Sequence, residues 1–271
     1  MQRTFQHQLY ACGERPLPAQ ITVGENSYRL SQVFKNDFFA ATALYEYFNK
    51  SQEPLVPTPQ QIILKLNRQE PFLGLPLAWL GEMLCSHQIS ILRHLNHLNA
   101  TPRFISRYGP TGLVYQYIPG RTLEENTEKL PDDFFDQLLQ LLRQIHQAGV
   151  VYLDTNKTDN IILGPDGRPH LVDFQISLHI GKRFLFSRRL AEFLRITLQN
   201  ADLYHFYKHK RKLAPELLTP EEYPLSRPTS KAIRLHRLAA TPLRKLRRKL
   251  LRHLQPKDPL TSQNNPSQPT K

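Results

Sequence analysis

The feature that most constrains this chain is the turn Gly164-Pro165-Asp166-Gly167, set between Ile161-Ile162-Leu163 and His170-Leu171-Val172. Glycine, proline and aspartate in that order reverse a chain, and short β-branched runs on either side predict two antiparallel strands joined as a hairpin. Val150-Val151-Tyr152-Leu153 predicts a third extended segment, ending at Asp154. Asp154, Asn160 and Asp173 then all fall where strands meet loops. Any one of them alone suits a turn, because Asp and Asn side chains bond to nearby backbone. Together they offer carboxylate and amide oxygens, the ligands a hard cation such as Mg2+ prefers.

The residues around this cluster carry a resemblance. His146-Gln-Ala-Gly149, Asp154, Asn160-Ile-Ile-Leu and Leu171-Val-Asp173-Phe174 resemble the catalytic core of protein-kinase-like phosphotransferases. Tyr152-Leu153 stands where His-Arg is usual, Gln175 replaces the glycine after Asp-Phe, and Asn160 lies one residue farther from Asp154 than is common. That combination looks most like the compact RIO-type and lipopolysaccharide-sugar kinase-like proteins of bacteria. The resemblance implies an α+β, two-lobed kinase-like fold, with a small β-rich amino-terminal lobe and a larger, mainly helical carboxy-terminal lobe. It also implies ATP and Mg2+ as cofactors. Asp154 would orient the acceptor hydroxyl and take its proton, while Asn160 and Asp173 would hold the metal. Without the arginine there is no partner for an activation-loop phosphate.

Upstream, Tyr28 to Phe34, Ala40 to Tyr47 and Gln61 to Leu66 are expected strands. By the resemblance, Lys65 in Ile62-Ile63-Leu64-Lys65-Leu66 would grip the nucleotide phosphates, with Lys35 a second choice. The turn Lys35-Asn36-Asp37-Phe38-Phe39 has no glycine, so phosphate contacts would differ from those of a glycine-rich loop. Leu77, Leu80, Leu84, Gln88, Ile91 and Leu95 recur at helical spacing. Gln88 takes the place of the glutamate that pairs with the lysine in the family, and Glu82 is the nearest acid. Val114 to Ile118 predicts another strand broken at Pro119-Gly120. The resemblance makes Gln116, Tyr117 and Ile118 the hinge whose backbone would meet adenine.

A helix is expected after Pro131 and Asp132-Asp133, with Phe135, Leu138, Leu142 and Ile145 on one face and Gly149 at its end. Asp202 would bond to the backbone of the Asp154 loop, as in the family, and His146 would pack beneath it. Ala214-Pro215-Glu216 falls after Asp202, in the wrong order to be the family's activation-segment motif.

The chain has 271 residues, 40% of them hydrophobic, enough for one substantial core. The organisation expected is an extension at 1–24, a small lobe at 25–118 and a large lobe at 119–225. A basic helical segment at 226–254 and a disordered tail at 255–271 would follow. Residues 231–254 carry nine Lys or Arg and no acid, against a net charge of +13 for the whole chain. Leu243, Leu246, Leu250 and Leu254 put an apolar stripe on that segment, which suits an anionic membrane surface; nucleic acid is the less favoured partner, and docking on the large lobe is the plain alternative. Cys12 and Cys85 suggest no disulfide framework and a reducing compartment. The uncharged stretch from Pro71 to Gly81 is too short to span a bilayer, and no amino-terminal apolar leader is evident, so a cytoplasmic, peripheral protein is expected.

The function expected is ATP-dependent transfer of a phosphoryl group to a hydroxyl, on a protein Ser/Thr or a lipopolysaccharide core sugar. The alternative is a pseudokinase-like module that binds a nucleotide or partner with little catalysis, which Gln88, Gln175 and the missing glycines favour.

Overall fold

The computed structural model describes residues 7–48, 59–126, 130–180 and 188–227. They form a mixed α+β molecule, with a curled antiparallel sheet first and most of the helices after it. The sheet contains β1 (Gln20–Val23), β2 (Asn26–Asn36), β3 (Ala40–Tyr47), β4 (Gln61–Asn67), β5 (Phe104–Tyr108) and β6 (Gly112–Gln116), in the order β1-β2-β3-β4-β6-β5. The three expected strands are therefore β2, β3 and β4. β1 pairs Gln20 to Arg29 through Val23 to Asn26, so the sheet begins upstream of residue 25. Two register shifts in β2, at Leu30/Gln32 and Val33/Lys35, put bulges in its pairing with β3 and increase the local twist.

Alternation along β4 decides what faces where. Ile62, Leu64 and Leu66 enter one core with Tyr28, Tyr45 and Val114, whereas Ile63 enters the other with Cys85, Leu92, Phe174 and Phe206. Lys65 shares a face with Ile63, since side chains two apart on a strand point the same way. Its ammonium is thus aimed into the interior shared by sheet and helices.

α1 (Ala78–His94) lies against β4 and β6. Its buried face is Gly81, Cys85, Gln88, Ile89, Ile91 and Leu92, while Leu80 and Leu84 are only half-buried. Gln88, Ile91 and Leu95 of the expected stripe are buried, but the first turns depart from it, with Gly81 pressed against β4's end, where an added Cβ would lie 1.9 Å from the Arg68 carbonyl oxygen. α2 (Phe134–Gln147) buries Phe135, Leu138, Leu142 and Ile145 as expected, and Gly149 leaves it with φ +76°.

The second half of the chain adds short pieces. β9 (Ile161–Leu163) and β10 (Pro169–Leu171) are the expected hairpin, with Ile161 opposite Leu171. β7 (Arg121–Thr122) pairs with β9, joining the segment after the large sheet to the hairpin. The extended segment expected from Val150 to Leu153 is shorter: β8 is only Val150–Val151, paired with β11 (Leu178–His179). It stops there because the Tyr152 and Leu153 N–H groups turn to a side chain, and Leu153 adopts φ +66°. α3 (Arg188–Leu213) supplies that side chain, Asp202, and Ala214-Pro215-Glu216 lies in a short 3-10 turn beyond it.

One hydrophobic core runs from Leu44 and Ile63 on the sheet through Phe135 and Ile145 on α2 to Phe174 and Phe206, continuous across the expected boundary at 118/119. Among the described residues, no helix is long and apolar enough to cross a membrane. The basic segment at 231–254 and the polar tail lie outside the described residues.

Candidate functional site

The site is assembled from four places. Lys65 comes from β4, Asp154 and Asn160 from the loop between β8 and β9, Asp173 from the turn after β10, and Asp202 from beneath, on α3.

Asp202 shapes the loop. Its fully buried carboxylate accepts hydrogen bonds from the Tyr152 and Leu153 backbone N–H groups at 2.9 and 2.8 Å and from Thr155 Oγ1 at 2.8 Å; His146 Nε2 lies 3.1 Å from it. Two consecutive N–H groups can point at one acceptor only if the chain turns sharply, which the left-handed Leu153 achieves. Asp154, the next residue, is thereby held in a fixed position. His209 Nε2 at 2.9 Å from the Thr155 carbonyl oxygen braces the same loop.

Asp154 Oδ2 accepts from Asn160 Nδ2 at 2.7 Å and from Lys157 Nζ at 2.5 Å. With Nδ2 turned to Asp154, the remaining Asn160 oxygen is the atom suited to a cation. Asn160 and Asp173 are neighbours through Val172, whose N–H donates to the Asn160 carbonyl at 3.0 Å and whose carbonyl accepts from the Tyr152 hydroxyl. Asp173 has φ +57°, and its Oδ1 accepts from Lys65 Nζ at 2.7 Å, linking positions 108 residues apart.

Electrostatics keeps these groups in defined states. Burial pushes the Asp173 carboxyl up, but the Lys65 charge and hydrogen bond, with Lys35 and Lys157 beyond, bring it below its ordinary value. It remains ionised at neutral pH. The Tyr152 hydroxyl is raised well above its usual range, first by burial and then by Asp154, Asp173 and Asp202, and Tyr115 is raised by burial and by Asp173. Both phenols stay neutral.

The remaining sequence-predicted residues fall in two groups. Lys35 pairs with Asp37 Oδ2 at 3.0 Å and bears on Asp173, so it belongs to the same field. Asp37 makes the glycine-free turn itself, its Oδ1 accepting from the Phe39 and Ala40 N–H groups at 2.9 and 3.0 Å. Tyr117, just past β6, stacks on Phe34 of β2, with ring centroids 6.3 Å apart and planes at 18°. Ile118 is buried, and the Gln116 N–H is already committed to the Arg103 carbonyl at 2.9 Å. Gln88 is buried, yet its Oε1 has no hydrogen-bond partner, and Lys65 is paired with Asp173 instead. Glu82 is exposed and faces Arg107 at 3.7 Å.

Lys157 was not singled out by sequence. Its only signal is a lysine three residues after the aspartate in an otherwise polar loop. Thr158 and Asp159 at the rim were also missed. Glu124 accepts from Thr158 Oγ1 at 2.9 Å and lies beside Asp159, whose carboxyl is raised by burial and then by Glu124. Two concavities elsewhere, one lined by Leu123, Phe135 and Leu217 and another by Asn99, Gln140 and His170, contain none of the site residues. Among the described residues no group of three or more His, Cys, Asp or Glu is placed to hold a metal, and the candidate donors remain the Asp173 carboxylate and the Asn160 amide oxygen. No protein-family model matches the chain, and no curated protein matches it.

Proposed function

We propose that this chain is an ATP-dependent phosphotransferase of two-lobed, kinase-like architecture that acts on a hydroxyl group. The observation that carries the reading is the Lys65–Asp173 ion pair at 2.7 Å, made across 108 residues beside an Asp154–Asn160 contact of 2.7 Å. A cation from the sheet, an ionised carboxylate after the hairpin and an aspartate–asparagine pair on a braced loop are the groups that phosphoryl transfer uses.

The oxygens of Asp173 and Asn160 fit a hard divalent ion, because Asp173 is held ionised and Asn160 has one amide oxygen turned away from Asp154. Bound there with ATP, Mg2+ would neutralise charge on the phosphates. Lys65, with Lys35 near the entrance, supplies cations for the phosphate oxygens. Asp154 orients the acceptor hydroxyl and receives its proton, and Lys157 at 2.5 Å keeps that carboxylate in place while adding positive charge where the transferred group passes. Acceptors of two kinds fit the chemistry, a protein Ser/Thr and a lipopolysaccharide core sugar.

Gln88 favours a second reading, a nucleotide- or partner-binding module with little catalysis, since its carboxamide cannot make an ion pair with Lys65. ATP turnover with Mg2+ separates the two. Asp154→Asn is expected to lower turnover about 100- to 10,000-fold while nucleotide binding persists, and Asp173→Asn to weaken Mg·ATP binding. Turnover at the same background level in wild type and Asp173→Asn would leave only the binding module.

A further inference from the structure

We infer that the turn Phe72-Leu73-Gly74-Leu75 and the first turns of α1 form a wedge that inserts into the interface of an anionic phospholipid bilayer. The turn is closed by two backbone hydrogen bonds between Phe72 and Leu75, at 3.0 and 2.9 Å, with Leu73 at φ +52° and Gly74 at φ +79°. Positive φ at both central residues is the I′ geometry that asparagine and glycine normally occupy. Here a leucine sits at the tip and is 61% exposed. Leu75, Trp79 and Met83 continue the patch, at 63%, 62% and 52% exposure, with Trp79 and Met83 one helical turn apart on α1. Single exposed apolar residues need no explanation, but four within eleven consecutive residues do.

The wedge is held rigidly from behind. Arg68, fully buried, donates to the carbonyls of Phe38, Gln8 and Pro71 at 2.9, 2.7 and 3.2 Å and lies over the Phe38 ring at 3.8 Å. Phe38 meets Phe72 edge-on at 5.1 Å, and the Leu73 N–H donates to Gln8 Oε1 at 3.0 Å. A strained, apolar tip kept in place by a buried arginine is preorganised for an apolar environment.

Charge and length identify that environment. No charged residue occurs from Pro71 to Gly81, a stretch far shorter than the roughly 20 residues a spanning helix needs, so insertion stops at the interface. Tryptophan is the side chain most at home there. Of the acids that flank the patch in sequence, Glu82 faces Arg107 and Glu70 acts on the buried Arg68. The chain carries 36 Lys and Arg against 23 Asp and Glu, and 231–254 add cations without acids, which draws the molecule to anionic lipid rather than to a neutral surface. The Phe38–Phe72 contact also sets the wedge beside the β2–β3 turn, where Lys35 pairs with Asp37.

Trp79 is the chain's single tryptophan, so its fluorescence reports the wedge directly. The full chain is titrated with vesicles of phosphatidylcholine alone and of phosphatidylcholine with phosphatidylglycerol. The expected result is a blue shift of Trp79 emission and protection from an aqueous quencher, strongest with the anionic vesicles. Leu73→Asn keeps the backbone geometry and should weaken partition about tenfold or more, with no fall in melting temperature. Vesicle binding that leaves Trp79 emission unchanged would assign the contact to another segment and overturn the wedge. So would equal partition of Leu73→Asn and wild type, or a Trp79 already shielded from quencher in the free protein.

Discussion

Asp202 is the residue on which the loop geometry depends. It lies under the loop, accepts from two N–H groups and a hydroxyl, and has His146 beside it. Removing a buried hydrogen-bonded carboxylate leaves those donors without partners. Asp202→Ala is expected to cost about 3 kcal/mol in urea denaturation and to release Leu153 from its left-handed conformation. The Lys65–Asp173 pair makes a different prediction, about pH. Asp173's folded pKa is depressed, so its contribution to stability is present above about 4, the unfolded value, and is lost as pH falls through the folded one. In Lys65→Met, burial is opposed only by the more distant Lys35 and Lys157, and the carboxyl moves up. The stability gap between wild type and Lys65→Met should therefore be widest at neutral pH and narrow below about pH 4, as read from denaturant midpoints. Because 27% of the Asp173 side chain is exposed, solvent moderates the size of the gap but not its sign. At this scale part could be read in the sequence: Asp154 and Asn160 meet side chain to side chain, and Asp173 adjoins Asn160 through the backbone of Val172. Lys157 could not be told from any loop lysine, since its partner is set by the turn that Leu153 makes.

Among the elements, the hairpin of β9 and β10 was readable because its turn residues and flanking runs are local. The two-residue strands β7 and β11 were not, since nothing but a tertiary partner makes them strands. α1 shows a subtler failure. Gln88, Ile91 and Leu95 are inside as the spacing called for, yet Leu80 and Leu84 are only half-buried, and close approach at Gly81 brings Cys85 inward instead. Hydrophobic periodicity carries no signal for a helix that docks through a glycine. Gly81→Ala should push α1 off β4 and cost about 1–3 kcal/mol, measured as a shift in the chemical denaturation midpoint. Since α1 also carries His87, whose Nε2 lies 2.7 Å from the Ser177 carbonyl oxygen, the same substitution should disturb the segment after Asp173.

At the scale of the whole molecule, strand order was out of reach of sequence reasoning. That β6 lies beside β4 depends on long-range pairing, Ile62 with Gln116, which no local pattern encodes, whereas β5 joins β6 as a local hairpin through Gly109-Pro110-Thr111. The mixed α+β class was readable, because strand-like and helix-like periodicities separate along the chain. Chain separation has a further consequence for the ion pair that joins Lys65 to Asp173. Closing so long a loop is slow, and neither partner reaches the other until the sheet and the hairpin each exist. In a refolding experiment followed by far-ultraviolet circular dichroism and by nucleotide binding, the helical and strand signals should recover first. On the proposed function, competence to bind should return only with the last and slowest phase, so a half-made chain, during synthesis or after stress, has Lys65 and Asp173 still apart.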